Sequence, residues 1–416
     1  MKLRGAILLT LLCAVACGRT AVDEDRLPAP PPEGAAGPEI VQAVFVDEDR
    51  DNLLDVARGA SVVWRSGELN LEYSALHAVD SMPTTLWSTP PRGPEQSFVV
   101  ALGAPARIER LGALFASKAP LIPAALRFEA SADGHAWREV LLLEPQERGG
   151  RLIRDVTPFD TSYLRISTVE PGEVDITLPS ILAFGTESAR HPQAPAWEGC
   201  WTINGSPSRL AQEGNRLRGV IGGERPTAVD GAIDGNVARL MWVRGPMWGY
   251  AAMTIAPDGN AISAVTFHEE ILVGNAGVAW FGERCSSPLQ IETATPVTFL
   301  QRAGRWSLFG LSFRTDHSLD TATSQSTLVA AIETLRSAPQ GQRFRIVSRE
   351  YHQDTPAKNR EVSAARLESL RRYLGTSGVD LTPIELVATG SESTSIEGSF
   401  GVMRLLASRI DLELVR

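Results

Sequence analysis

The chain has 416 residues, 43% hydrophobic and 21% charged, with 40 basic against 49 acidic residues and a formal net charge of −9. That length supports two to four domains, and an acidic chain without a basic run is a poor partner for nucleic acid. The charges are spread along the sequence as ordinary solvated surface, and beyond the first twenty residues no apolar stretch is long enough to cross a bilayer as a helix.

The chain begins MKLRGAILLTLLCAVACGRT. Lys2 and Arg4 form a basic start, and Gly5 to Val15 form an apolar run too short for a permanent span, so the pattern reads as an export signal. Its end, Ala14-Val15-Ala16-Cys17, resembles the bacterial lipoprotein box. The resemblance implies a signal peptide over 1–16, acylation of Cys17 and a membrane partner reached through the lipid anchor. An ordinary secretory signal cut after Ala16 is the alternative. Gly18, rather than Asp, follows Cys17, which by the enteric sorting pattern implies the outer membrane. Residues 17–44 are rich in Pro, Gly, Ala and acid, cannot bury a core, and read as a disordered tether. Cys13 leaves with the signal and Cys17 carries lipid, so Cys200 and Cys285 remain in a disulfide-permissive compartment and are expected to pair.

Residues 45–188 hold short alternating runs such as SFVVALG (Ser97–Gly103), ALRFEAS (Ala125–Ser131) and SYLRIST (Ser162–Thr168), parted by Pro, Gly and Asp turns. That pattern predicts an antiparallel β-sandwich. AVDSMPTTLWST (Ala78–Thr89), QSFVVALG, FEASADGHAWREV (Phe128–Val140), YLRI and ILAFG follow one another as in the discoidin-type, galactose-binding-like jelly roll, which this region resembles; Ser81 stands where that family usually has Gly. The resemblance implies binding, commonly of sugars or lipid head groups, by loops at one end of the sandwich, and no catalysis. In that family the tryptophans matching Trp87 and Trp137 pack the core, whereas Trp64 and Tyr73 stay open between loop and core. Asp80 and Thr85 match positions that help hold a structural calcium. The carboxylate expected on the closing strand is replaced by Ser180 nearby, and a turn residue bonding its own backbone is the other reading of Asp80.

Residues 195–290 carry seven short runs ending in Gly, Asp-Gly or a similar turn, from WEGCWTI to GVAWFGERC. Regular spacing predicts a β-meander, closed into a small barrel and stapled by Cys200 and Cys285. Trp197, Trp201, Trp242, Trp248 and Trp280 suit a packed core more than an aromatic-lined ligand cavity. FHEEIL (Phe267–Leu272) begins like the zinc-protease pattern, but Leu272 stands where the second His must be, so no metal is expected there. No G-x-S-x-G, P-loop or dinucleotide fingerprint occurs, and no cofactor or catalytic residue is assigned.

Residues 294–416 change period. RWSLFGLSF (Arg305–Phe313) reads as a strand, STLVAAIETLRSAP as a helix, RFRIVSREY as a strand, NREVSAARLESLRRYLGTSG as a helix, then IELVATG and RIDLELV as strands. The order predicts an α/β sandwich. Asn359, Val362-Ser363, Arg366-Leu367 and Gly378-Val379-Asp380 at their spacing resemble the OmpA-like domain. In family members that bind peptidoglycan, an Asp and this helix Arg grip the diaminopimelate side chain. Counting back from Asn359 places that Asp at Tyr351; Asp354 reaches the position only with a shortened loop. Arg409 alone persists of the family's C-terminal Asn-Arg-Arg-Val. The whole reads as a non-catalytic envelope lipoprotein. In one reading it is an adaptor between membrane anchor and cell wall, with a weakened peptidoglycan site. In the other it is a surface glycan binder that uses the OmpA-like part as scaffold.

Overall fold

The computed structural model describes residues 46–415, apart from position 83 and the segments 91–94, 116–123, 146–149, 170–176, 189–194, 223–224, 270–275, 287–293, 352–354 and 390–400. The first region is a β-sandwich of β1 (Ser61–Arg65), β2 (Trp87–Ser88), β3 (Ser97–Phe115), β4 (Ala125–Ser131), β5 (Arg138–Leu143), β6 (Gly150–Val169), β7 (Thr177–Leu178) and β8 (Ser180–Glu187). One sheet runs β1-β3-β6-β4-β5 with β8 also on β3, and β2 pairs β7. The 19-residue β3 and 20-residue β6 pair along most of their length, with register breaks at Ala101/Ala106 and Ile108/Arg110. Such breaks bend a strand pair. The first half of β3 thus takes β1 as its other neighbour and the second half takes β8, which wraps the sheet around Leu76, Trp87, Phe98, Ile108 and Phe128.

The second region is a closed eight-stranded antiparallel barrel: β9 (Gly199–Ile203), β10 (Ser206–Glu213), β11 (Arg216–Ile221), β12 (Thr227–Asp234), β13 (Val237–Arg244), β14 (Met247–Ile255), β15 (Ala261–His268) and β16 (Trp280–Arg284). The sequence runs found seven of these strands. The missed one, β10, reads SPSRLAQE, and its proline and polar residues hide a strand whose partners on both sides supply the apolar surface. The inward face packs Trp201, Leu210, Leu240, Trp242, Met253 and Ile262 against one another, so the interior is a core. Gly249 is required there: a Cβ would meet the carbonyl of Phe267 at 1.8 Å and the Trp242 ring at 2.7 Å. Cys200 and Cys285 are bonded, with Cα atoms 5.3 Å apart, across the β9–β16 seam that closes the barrel.

The third region is a four-stranded mixed sheet with helices. In chain order it holds α1 (Pro296–Ala303), β17 (Arg305–Ser307), α2 (Gln325–Arg336), β18 (Arg343–Arg349), α3 (Pro356–Thr376), β19 (Ile384–Thr389), α4 (Gly401–Ala407) and β20 (Arg409–Val415). The sheet order is β17-β20-β18-β19, with β18 and β19 parallel. Helix α3 starts with Thr355 accepting from the Lys358 amide and Pro356 in the first turn, where its missing N–H costs nothing. It buries Asn359, Val362, Leu367, Leu370 and Leu374. The expected strand over 305–313 stops at Ser307. The Leu311 amide turns back to the Leu308 carbonyl, which buries Leu308, Phe309 and Leu311 where an extended chain would have exposed alternate residues.

The described residues all belong to one compact unit. The outer face of the barrel explains why: Met241, Val243, Tyr250 and Phe267 belong to the same core as Phe98 of the sandwich and Trp306 and Leu412 of the sheet. Polar bonds fix the joints. Asn236 donates to the Gly59 carbonyl at 2.7 Å, and the hydroxyls of Ser61 and Ser263 meet at 3.2 Å, both fully buried.

Candidate functional site: an aromatic cleft between sandwich and barrel

A cavity of about 660 Å³ lies between the two β regions, within the roughly 300–1,000 Å³ range typical of ligand clefts. Its floor follows from strand register. Trp64 on β1 pairs Val99 on β3, Val99 pairs Arg165 on β6, and Arg165 pairs Glu129 on β4. Directly opposed residues share a sheet face, so one row presents Trp64, Val99, Arg165 and Glu129. Tyr163, two residues before Arg165, falls on the same face. Register slips between Val62 and Trp64, and such a bulge re-aims the side chains that follow it. Trp64 is 51% exposed beside the cavity, an unusual state for so large an aromatic.

The Ser131–Trp137 turn forms one wall. Asp133 accepts from the amides of His135 and Ala136 at 2.8 and 3.0 Å and from the Ser131 hydroxyl at 2.9 Å, which pulls its pKa down to about 2. Gly134, at φ +77°, crosses 3.8 Å above the Tyr163 ring, measured from where its Cβ would stand. Trp137 is half-buried and stacks its ring 4.7 Å from the Arg165 guanidinium. The barrel supplies the other wall with the turn around Asp258 and Asn260, and with Glu283 and Arg284 of β16.

The charges sort in a definite way. Arg165 is gripped by both oxygens of Glu129, at 2.5 and 2.6 Å. Arg284 donates to the carbonyls of Gly259 (2.7 Å), Glu198 (2.9 Å) and Ala196, with its guanidinium 4.4 Å over the Trp201 ring. Asp133, Asp258 and Glu283 are exposed. Burial, followed by the charges of Asp258 and Asp133, holds the Tyr163 phenol above its ordinary value.

The residues singled out in the sequence lie elsewhere. Cys17 is outside the described residues. Trp87 is fully buried in the sandwich core, as its motif implied, whereas Trp137 lines the cleft. Asp80 is also fully buried. Its oxygens take the Thr85 hydroxyl at 2.9 Å, the Met82 amide at 2.9 Å and Nδ1 of His77 at 2.8 Å. Burial pushes this carboxyl above its usual range, and the His77 contact pulls against it. Ser81, in the glycine position of the motif, carries φ +54°, so the loop keeps the left-handed turn without the residue that suits it. Calcium takes six to eight oxygen ligands. An ion held by Asp80 and Thr85 would have to take the place of the Met82 and His77 contacts, and among the described residues no group of three or more His, Cys, Asp or Glu side chains could hold a metal. Asp80 and Thr85 alone supply too few oxygens for calcium.

On α3, Arg366 does not face Tyr351 across a pocket. Its guanidinium bonds the carboxylate of Glu350, whose side chain is 3% exposed. Glu350 directly precedes Tyr351, the position reached by counting back from Asn359, and it is buried just after β18 ends at Arg349. Tyr351 instead exchanges backbone bonds with the Ser408 hydroxyl, and Arg404 lies 5.9 Å over its ring. Asp354 is outside the described residues. Arg409 is buried, bonds Asp411 at 3.1 Å and lies 4.5 Å over the Tyr250 ring. Arg366, Glu350 and Arg409 do converge, on a cavity of about 250 Å³. The barrel's Arg239 reaches into the same cavity, donating to the Phe309 carbonyl at 3.0 Å. Asn359 is fully buried at the start of α3.

No family model and no curated protein matches the chain. Among solved structures, the Clostridium perfringens module CpGH89CBM32-5, solved with GalNAc-β-1,3-galactose, is 18% identical with a TM-score of 0.29, covering 32% of this chain and 99% of its own. CBM32-3 from a family 31 glycoside hydrolase of the same organism is 15% identical with a TM-score of 0.30, covering 34% and 100%. The C-terminal domain of a Bacteroides fragilis chitobiase is 17% identical with a TM-score of 0.29, covering 32% and 97%. At these scores none of the three bears on the ligand or the fold of this chain.

Proposed function

We propose that the protein is a non-catalytic glycan binder whose site is the Trp64–Trp137–Tyr163 cleft. The observation that carries this reading is Trp64: a half-exposed indole placed by a bulge on the rim of a cavity of about 660 Å³, beside polar groups at fixed turns. A pyranose ring offers an apolar face for stacking and a hydroxyl rim for hydrogen bonds. Asp133, His135, Asn260 and Glu283 supply partners for that rim. The N-terminal pattern around Cys17 would present this binder on a membrane surface of the envelope. A glycan array with the whole chain is expected to show saturable binding, and Trp64→Ala to weaken it at least tenfold with an unchanged melting temperature. A blank array, or full retention by the variant, rejects the reading.

A second reading, attachment to the cell wall by an OmpA-like third region, is supported by Arg366, Glu350 and Arg409 lining one cavity. There a wall carboxylate would have to compete with Glu350 for Arg366. Purified peptidoglycan should retain the wild type and release Arg366→Ala. Equal retention of both, or of neither, counts against it, provided circular dichroism shows the variant folded, since losing Arg366 takes an ion-pair partner from the buried Glu350 carboxylate.

A further inference from the structure

We infer that the cleft selects glycans carrying free amino groups, that is, hexosamine units with a protonated ammonium, over their N-acetylated and acidic counterparts. This rests on the glycan-binding reading above and adds the charge of the ligand to it. The argument is one of pairing. Of the two guanidiniums that line the cavity, Arg165 is neutralised by Glu129, and Arg284 spends donors of Nε and both terminal nitrogens on carbonyl oxygens of its own wall. Neutral carbonyls fix Arg284 without cancelling its charge, so a sugar carboxylate would find one cation there, pinned to its own wall. Three carboxylates, by contrast, stand exposed around the same space: Asp133 and Asp258 on facing turns and Glu283 on β16. Asp133 is bonded only to donors of its own turn, so it stays ionised at any ordinary pH.

Between these carboxylates lie aromatic faces, Trp64 and Tyr163, which also attract a cation. An amino sugar satisfies both features at once: its ring stacks and its ammonium sits among the carboxylates. An N-acetyl group removes the charge, and a uronate reverses it. Exposed pairs of this kind are individually weak and screened by salt, so several acting on one ammonium are expected to give a preference of about tenfold, largest at low ionic strength.

The test is calorimetric titration of the whole chain with a glucosamine oligomer, its N-acetylated counterpart and a uronate oligomer of equal length. The pH is kept low enough that the amines are charged. The expected order is free amine, then N-acetyl, then uronate. The gap between the first two should close with added salt and in the double variant Asp258→Asn/Glu283→Gln, which keeps a side-chain acceptor in the Asp258 turn. Equal binding of the amine and N-acetyl oligomers, or tighter uronate binding, overturns the charge selection while leaving a glycan site in place. Binding of the amine oligomer that survives Trp64→Ala means adsorption of a polycation at the surface and overturns it too. Failure of all three oligomers to bind folded protein removes the glycan reading itself.

Discussion

Replacing both Cys200 and Cys285 with serine, or reducing their bridge, is expected to lower stability by about 4–5 kcal/mol. The bond closes a loop of 85 residues, and the loop-entropy argument assigns a cross-link of that span about this much. Local structure points the same way. The seam it staples, β9 against β16, has three paired positions, whereas the β13–β14 ladder elsewhere in the barrel has eight. Without the bridge the seam retains that short ladder, the Cys285 amide bond to the Cys200 carbonyl at 3.2 Å, the Arg284 clamp, and at its far end the bonds of Asn204 to Phe281 and Ala279. Denaturation with and without reductant measures the loss, and hydrogen exchange should show β16 opening before β13. An unchanged midpoint on reduction would mean that the seam holds by its ladder and packing alone.

Asp230→Ala is expected to cost about 3–5 kcal/mol, the usual penalty for stranding one member of a buried ion pair. Asp230 on β12 is 2% exposed and Arg216 on β11 is 4% exposed, and they meet at 2.5 Å. The other Asp230 oxygen accepts from Nε1 of Trp306 at 3.0 Å, and that indole is fully buried in β17 of the mixed sheet. One carboxylate therefore satisfies a guanidinium from the barrel and a ring N–H from the neighbouring region. Asp230→Asn keeps an acceptor for Trp306 and removes the charge, so it should fall between wild type and alanine. If urea midpoints place asparagine and alanine together, the charge carries the whole effect. If both match wild type, the pair contributes nothing net.

Each kind of element advertises itself locally. Alternation revealed the sandwich, regular Gly-ended runs the barrel, and a helical period the mixed sheet. What the sequence hid depends on contacts between segments distant in the chain. β10 is a strand because β9 and β11 flank it, not because SPSRLAQE prefers to be one. The cleft was missed because its walls come from residues near 64, 133, 163, 258 and 283, and no spacing rule links those positions. Trp64 stayed undecided between loop and core, since neither environment describes a residue turned outward by a one-residue bulge. Glu350 was passed over in favour of Tyr351 because a loop length was borrowed, while burial follows the end of β18. Trp87 and Trp137 sit in motifs that suggest the same role for both; the structure separates them, one sealed in the core and one under Arg165 at the cleft.

The Asn236–Gly59 bond, the Ser61–Ser263 hydroxyl pair and the apolar core shared by sandwich and barrel bear on how a ligand enters. These contacts tie the two walls together, so among the described residues the gap is held to size before anything arrives. Recognition then resembles a key meeting a finished keyway. Little ordering remains to be done at the moment of contact, and arrival should be single-step and quick. Differences among ligands would show up as how long each one stays.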